Sequence, residues 1–160
     1  MLRFREADVT DADAHALLEA YFAERAAGFP VEQGVYAPTW PASAQFTPPA
    51  GVFLVADDDD DAAVGCGGVR RIQRRPETNE VRFEVKHLWL APPARGRGEG
   101  RRLLAELERR AGELGAQEIV LDTNASLEAA GELYRSSGYV EIEPYNANPN
   151  ATHWYGKRLD

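Results

Sequence analysis

Residues 87–101 read HLWLAPPARGRGEGR, and this stretch decides the fold. Its first four residues continue an apolar strand pattern that the proline pair at 92 and 93 interrupts. Leucines at helical spacing then predict a helix over residues 98–114. The free N–H groups at the start of a helix attract anions, and glycines let a backbone approach phosphate oxygens closely. The stretch therefore predicts an anion site between a strand and a helix, on a loop with glycines at 96, 98 and 100.

The spacing of these glycines excludes two common phosphate-binding motifs. A dinucleotide-binding Gly-x-Gly-x-x-Gly pattern that starts at Gly96 would need glycine at position 101, which is Arg101. A Walker loop would need Gly-Lys followed by Ser or Thr, which the chain lacks here. A glycine turn that only connects a strand to a helix is the remaining structural interpretation.

Strands and helices interleave irregularly on both sides of this loop, which favours one α/β (α+β) domain over residues 1–160 with a mixed sheet. Thr10 and Asp13 resemble a capping box that opens a helix to residue 26, and the proline-rich segment 28–51 predicts an ordered loop with one short helical turn. The other predicted elements are strands 2–5, 52–55, 62–69, 81–90, 118–122 and 139–142, a helix over 126–136, and a strand over 153–159 that closes the sheet.

Composition narrows the range of functions. A net charge of -8 and a pI near 4.9 argue against general nucleic-acid binding. Apolar runs are too short to span a bilayer and the first residues lack a signal-peptide pattern, so we expect a cytoplasmic protein with no membrane partner. Cys66 is the only cysteine and is expected to be buried. The aspartate run 57–61 predicts a solvated hairpin tip, so no metal site is expected.

Two linked motifs resemble those of the GNAT acetyltransferase superfamily. The loop fits Arg/Gln-x-x-Gly-x-Gly at Arg95, Gly98 and Gly100. Asn124 and the segment AGELYRSSGY at 130–139 are similar to the second family motif, an asparagine followed by Ala-x-x-Leu-Tyr-x-x-x-Gly-Phe/Tyr. The resemblance extends over roughly the whole chain, and these two motifs carry nearly all of its specificity.

The resemblance implies a GNAT fold, with about six or seven strands and about four helices, and acetyl-coenzyme A as co-substrate. It places the pantetheine arm along a bulged strand, and Asn124 and Tyr134 near the active centre. An alternative role for Asn124 is to cap the helix that starts near Ser126. The implied cofactor-binding residues are Leu88, Trp89, Leu90, Arg95, Gly96, Arg97, Gly98, Glu99, Gly100, Arg101, Asn124 and Tyr134.

The resemblance also suggests catalytic roles. Tyr134 would protonate the departing thiolate, although a tyrosine on an amphipathic helix can instead pack in the core. The backbone N–H of Leu88 would stabilise the oxyanion. Glu84 lies eleven residues before Arg95, the spacing of the catalytic glutamate in the histone-acetylating branch, so it is the candidate base.

Two alternatives accompany the assignment of the base. Glu84 could instead form a structural ion pair with Lys86 or Arg82 on a solvated strand face. His87 has a suitable ordinary pKa, but strand alternation places it on the face opposite Glu84 and Lys86, so a core or surface histidine is expected.

The predicted function is an N-acetyltransferase that acts on a primary amine. The alternatives are a non-catalytic acyl-coenzyme A sensor and a protein lysine acetyltransferase, the second supported by the spacing of Glu84. Four residues could line the acceptor pocket: Tyr36, Trp40, Asn148 and His153. The sequence leaves the acceptor and the oligomeric state open, a homodimer included.

Overall fold

A computed structural model describes residues 1–160 and shows a seven-stranded mixed sheet, as predicted. The strand order is β1-β2-β3-β4-β5-β7-β6, and only the β4–β5 pair is parallel. The strands are β1 (Arg3–Glu6), β2 (Gly51–Asp57), β3 (Ala63–Arg71), β4 (Arg82–Leu90), β5 (Glu118–Thr123), β6 (Val140–Glu141) and β7 (His153–Arg158).

Three α-helices flank the sheet, where the sequence predicted about four. They are α1 (Ala12–Gly28), α2 (Glu99–Glu113) and α3 (Glu128–Ser136). The segment 28–51 contains only two short 3-10 turns, Val31–Gln33 and Ser43–Phe46, because its prolines interrupt regular hydrogen bonding.

The two larger helices cover opposite faces of the sheet. Alternation along β2 sends Leu54 into the cluster under α2 and Phe53 into the cluster under α1. The α2 side is packed by Leu103, Leu104, Leu107 and Ala111. Cys66 is buried in the α1 cluster, as predicted.

Two local predictions were wrong. Strand β7 does not close the sheet but lies between β5 and β6, because the short β6 pairs only with β7. The capping box at the start of α1 does not form, since the Thr10 hydroxyl donates to Asp8 and the Asp13 carboxylate accepts from Arg5. The predicted solvated hairpin tip is confirmed, since the side chains of Asp59 and Asp61 are 83% and 82% exposed.

Two aspartates of the tip join it to β1 through ion pairs. Arg5 Nε lies 2.6 Å from Asp57 Oδ2, and Arg3 Nη2 lies 2.5 Å from Asp61 Oδ1. The aspartate run therefore fixes the first strand to the hairpin.

Strands β4 and β5 separate after a short paired region. Their parallel pairing joins Arg82, Phe83 and Glu84 to residues 118–120 and goes no further. The rest of β4 therefore has no partner on its β5 side, and a cleft opens there between the two strands.

Candidate active site

A β-bulge interrupts β4 where the cleft opens. Cys66 of β3 pairs with Trp89 while Gly68 pairs with Lys86, so β4 carries one extra residue between these pairs. His87 adopts a φ of 59°, the left-handed conformation that non-glycine residues rarely take. The bulge that the family resemblance implies is therefore present, next to Leu88.

The glycine loop has an open backbone. Gly96 and Gly98 have φ values of 81° and 78°, and a Cβ atom at either would meet no other atom within 4 Å. The N–H of Arg102 donates to the Gly98 carbonyl at 3.2 Å, so the N–H groups of residues 98–101 lie before the helical ladder. These groups form a candidate anion site, and no other atom crowds Gly96 or Gly98.

The Arg95 side chain holds the loop in place. Its Nε donates to the Leu90 carbonyl at 2.8 Å, and its Nη2 lies 2.7 and 2.9 Å from the two carboxylate oxygens of Glu24 on α1. Trp89 also donates its indole N–H to Glu24. Arg95 therefore connects the end of β4 to α1.

The charged side chains of Glu99 and Arg101 also have structural partners. The Glu99 carboxylate accepts the Leu2 N–H at 2.6 Å and pairs with Arg102 at 2.9 Å. Arg101 donates to the Ser136 carbonyl at 3.1 Å, which joins α2 to the end of α3. Arg97 is exposed and makes no side-chain contact of this kind, so the anion-binding capacity of the loop lies in its amides and in Arg97.

A cavity of about 370 Å³ occupies the cleft between β4 and β5. Tyr36, Trp40 and Asn148 line it, as predicted. His153 does not, because it lies at the start of β7, 3.5 Å from Glu141 and stacked on Tyr155.

Tyr134 of α3 lines this cavity and is only 8% exposed. Its ring centroid lies 6.1 Å from that of Tyr139 and 6.3 Å from that of Tyr155. Burial, together with the negative charge of Asp122, raises the pKa of Tyr134 to about 12. The phenol is therefore both packed in the core and held in its protonated form.

Glu84 lies beneath the cavity wall rather than on it. It is 1% exposed, and Oε1 accepts hydrogen bonds from Arg70 Nε and Nη2 at 3.1 and 2.9 Å. Oε2 accepts one from the Tyr145 hydroxyl at 2.7 Å and lies 3.5 Å from Lys86 Nζ. These contacts favour the structural ion-pair role of Glu84, with Arg70 as its main partner. The predicted solvated strand face was wrong, because Glu84 lies in the interior.

Asp122 is the carboxylate that does line the cavity, and the sequence analysis missed it. Lys86 Nζ lies 3.1 Å from Oδ1, while the side-chain amides of Asn146 and Asn148 donate to Oδ2 at 2.8 and 3.2 Å. Burial opposes ionisation, but these partners lower the pKa of Asp122 below its usual value. Its position at the open end of β5 was the available signal.

His87 points into the cavity on the same side as Lys86, so the alternation argument was wrong. The bulge adds one residue and thereby breaks the two-residue period of the strand. The imidazole packs 5.5 Å from the Phe22 ring and 5.8 Å from the Tyr21 ring. Burial lowers the pKa of His87 to about 3, so the ring is neutral and a weak base.

Asn124 is 1% exposed and engaged in a network of its own. Its Nδ2 donates to Gln33 Oε1 at 2.6 Å and to the Asn150 carbonyl at 3.1 Å, and its Oδ1 accepts the Ser126 N–H at 3.0 Å. Helix α3 begins only at Glu128, so Asn124 forms a turn before the helix and does not cap it.

Arg25, also missed from the sequence, completes the cavity wall near the end of α1. It follows Leu18, Tyr21 and Phe22 at helical spacing, so a charged residue within an apolar stripe was the available signal. The side chain is 9% exposed, with its Cζ 5.0 Å from the Tyr36 ring centroid.

No helix in the structure combines the length and apolarity that crossing a membrane requires.

Curated relatives match part of the chain. An uncharacterized N-acetyltransferase of Schizosaccharomyces pombe is 36% identical over 105 residues, which are 66% of this chain and 61% of the relative. The IAA acetyltransferase of Azospirillum brasilense is 33% identical over 93 residues, which are 58% of this chain and 57% of the relative. The chain thus spans less than two thirds of these relatives' own lengths.

Solved structures match the whole fold. A GCN5-related N-acetyltransferase from Kribbella flavida superposes with a TM-score of 0.71 at 25% identity, over 99% of this chain and 98% of that one. A GNAT superfamily phosphinothricin acetyltransferase from Sinorhizobium meliloti, solved with AcCoA, has a TM-score of 0.72 at 22% identity, over 99% and 88% of the two chains. The predicted fold class is therefore confirmed.

A family model, Acetyltransferase (GNAT) family, matches residues 13–139. This range contains the glycine loop, the bulged strand and Tyr134. Together with the bulge and the open cleft, it shows that the chain belongs to the GNAT acetyltransferase family.

Proposed function

We propose that the protein is an acetyl-coenzyme A-dependent N-acetyltransferase whose acceptor is a primary amine. One observation carries the proposal: β4 is bulged at His87 and leads into the glycine loop, and His87, Leu88 and Tyr134 line one cavity. Family membership supports the same activity.

The cleft offers three binding regions for acetyl-coenzyme A, which would supply the activated acetyl group. The amides of residues 98–101 would hold the pyrophosphate. The edge of β4 left without a strand partner after Glu84 would pair with the pantetheine arm, in the way an added strand extends a sheet. This places the acyl end near Leu88 and Tyr134.

Different groups of the protein would then carry out the separate steps of the acetyl transfer. The Leu88 N–H would stabilise the negative charge that develops on the thioester oxygen, and the Tyr134 hydroxyl would give its proton to the departing thiolate. Because Glu84 is shielded from the cavity, we infer that the amine releases its proton to water beside Asp122. Glu84 would then position Arg70 and Tyr145.

Release of free thiol from acetyl-coenzyme A in the presence of a panel of primary amines tests the activity. We expect amine-dependent release that Tyr134→Phe largely abolishes. Thermal stabilisation by acetyl-coenzyme A, measured in parallel, reports on binding alone. Stabilisation without turnover of any amine would contradict the proposal and favour the sensor alternative.

A further inference from the structure

We propose that the acceptor is a small zwitterion, an amine that also carries a carboxylate, and that Arg25 binds this carboxylate. The inference rests on the proposed function and adds the substrate class to it.

Arg25 is a buried cation without a protein partner at one of its edges. The residue is only 9% exposed, and its Nη1 is inaccessible to solvent and has no hydrogen-bond partner. The Tyr36 ring lies 5.0 Å from the guanidinium carbon, and the Tyr21 and Tyr36 hydroxyls are polar neighbours of Arg25, but neither carries a negative charge that would neutralise it. A buried charge left in this state is costly. A ligand carboxylate in the cavity that Arg25 also lines would supply the missing negative charge.

The other cations of the cavity are already neutralised. Arg70 pairs with Glu84 at 2.9 Å, and Lys86 pairs with Asp122 at 3.1 Å. Arg25 therefore leaves one uncompensated positive charge in a cavity of a chain whose net charge is -8. This local positive charge would favour a ligand with an anionic group, even though the net negative charge of the protein repels anions.

The position of Arg25 fits a ligand that carries a carboxylate at one end and an amine at the other. Arg25 and Tyr134 line the same cavity of about 370 Å³, which is at the small end of the range for ligand pockets. A carboxylate held by the guanidinium would orient the rest of the acceptor, so that its amine points towards Tyr134 and Leu88. Planar bidentate geometry makes arginine well suited to this role.

Amino acids and their carboxamides form matched pairs that test the inference. With rates expressed per concentration of unprotonated amine, we expect kcat/KM to be about 10- to 100-fold higher for the acid of the preferred pair. Arg25→Gln should remove this preference by raising the KM of the acid, while the amide keeps its kcat and KM. Arg25→Lys should restore part of it. Arg74→Gln, at an exposed arginine outside the cavity, should behave as the parent.

A binding measurement separates this inference from the proposed activity. In the presence of coenzyme A, the N-acetyl amino acid should raise the Tm of the parent, whereas its carboxamide should not, and Arg25→Gln should lose the difference. Equal rates for acid and amide, or a loss of kcat for both in Arg25→Gln, would overturn the role of Arg25. Absence of turnover with retained carboxylate stabilisation would instead refute only the proposed activity.

Discussion

Arg95 of the glycine loop reaches across to α1, where its Nη2 donates to both carboxylate oxygens of Glu24 at 2.9 and 2.7 Å. The pair is almost half exposed, so its contribution is modest. Its effect is geometric, because it fixes the loop on which the cofactor pyrophosphate is proposed to lie.

Glu24→Gln should therefore weaken cofactor binding without affecting chemistry. We expect the KM for acetyl-coenzyme A to rise about two- to fivefold, since an exposed pair is worth up to about 1 kcal/mol, with kcat unchanged. Glu19→Gln on the same helix is the matched control, because Glu19 pairs only with His15. A rise in the acceptor KM instead would contradict the assignment.

Gly98→Ala should impair the anion site through backbone strain. The φ of 78° costs an L-residue about 1–2 kcal/mol, although the Cβ itself would meet no atom. We expect the KM for acetyl-coenzyme A to rise about tenfold. Gly100→Ala should have a smaller effect, since its Cβ would lie in ordinary contact, 3.6 Å from Leu133. Equal effects in the two variants would argue against strain as the cause.

Tyr134→Phe should lower kcat by about 10²- to 10⁴-fold and leave the affinity for acetyl-coenzyme A intact. Because the pKa of Tyr134 is raised to about 12, the parent should keep its protonated phenol, and show no alkaline loss of kcat, until the pH approaches that value. Tyr139→Phe is the control, because Tyr139 does not line the cavity. Its hydroxyl donates to the Glu108 carboxylate at a distance of 2.8 Å. Similar kcat values in the two variants would exclude Tyr134 as the acid.

His87 should make the stability of the protein depend on pH. Its pKa falls from 6.5 to about 3 on folding, so between these values the unfolded chain binds more protons than the folded one. Stability should therefore decrease as the pH falls below 6.5 and stop responding to this group near pH 3. Urea unfolding across this range should show a shallower slope in His87→Asn, a residue that tolerates positive φ. An unchanged slope would contradict the neutral state of the imidazole.

Glu84→Gln should separate a structural role from a catalytic one. Leaving Arg70 without its anion should cost about 1–3 kcal/mol in the free energy of unfolding. Glu113→Gln, at an exposed helix pair, should cost less than about 0.5 kcal/mol. Near neutral pH, where the amine must lose a proton, we expect the kcat of Glu84→Gln to match the parent. A large loss of kcat there that is recovered at high pH, in a folded variant, would restore Glu84 as the base.

Local patterns predicted most of the scaffold. The helical spacing of Leu103, Leu104 and Leu107 indicated α2, and the aspartate run marked the β2–β3 turn correctly, because both depend on neighbours in the sequence. The bulge at His87 left no such mark, since it depends on how β4 aligns with β3. The alternation argument therefore failed at that residue.

The hydrogen-bond partners of the site residues could not be predicted from neighbouring residues in the sequence. Glu84 meets Tyr145 across 61 positions of the chain, and Asn124 meets Gln33 across 91. Family motifs could name these residues, but only the folded chain shows which of their atoms are already engaged. The unpartnered Nη1 of Arg25 likewise follows from packing around the end of α1.

Segment 28–51 and the segment between β6 and β7 both line the cavity, and Asn124 connects them. Asn124 binds Gln33 on the first and the Asn150 carbonyl on the second, while Asn150 itself bonds both the N–H and the carbonyl of Ala37. Grafting the loop of a relative onto either segment alone would break this cross-connection. Reprogramming of the acceptor preference, by evolution or by design, therefore requires both segments to be exchanged together as a co-adapted pair.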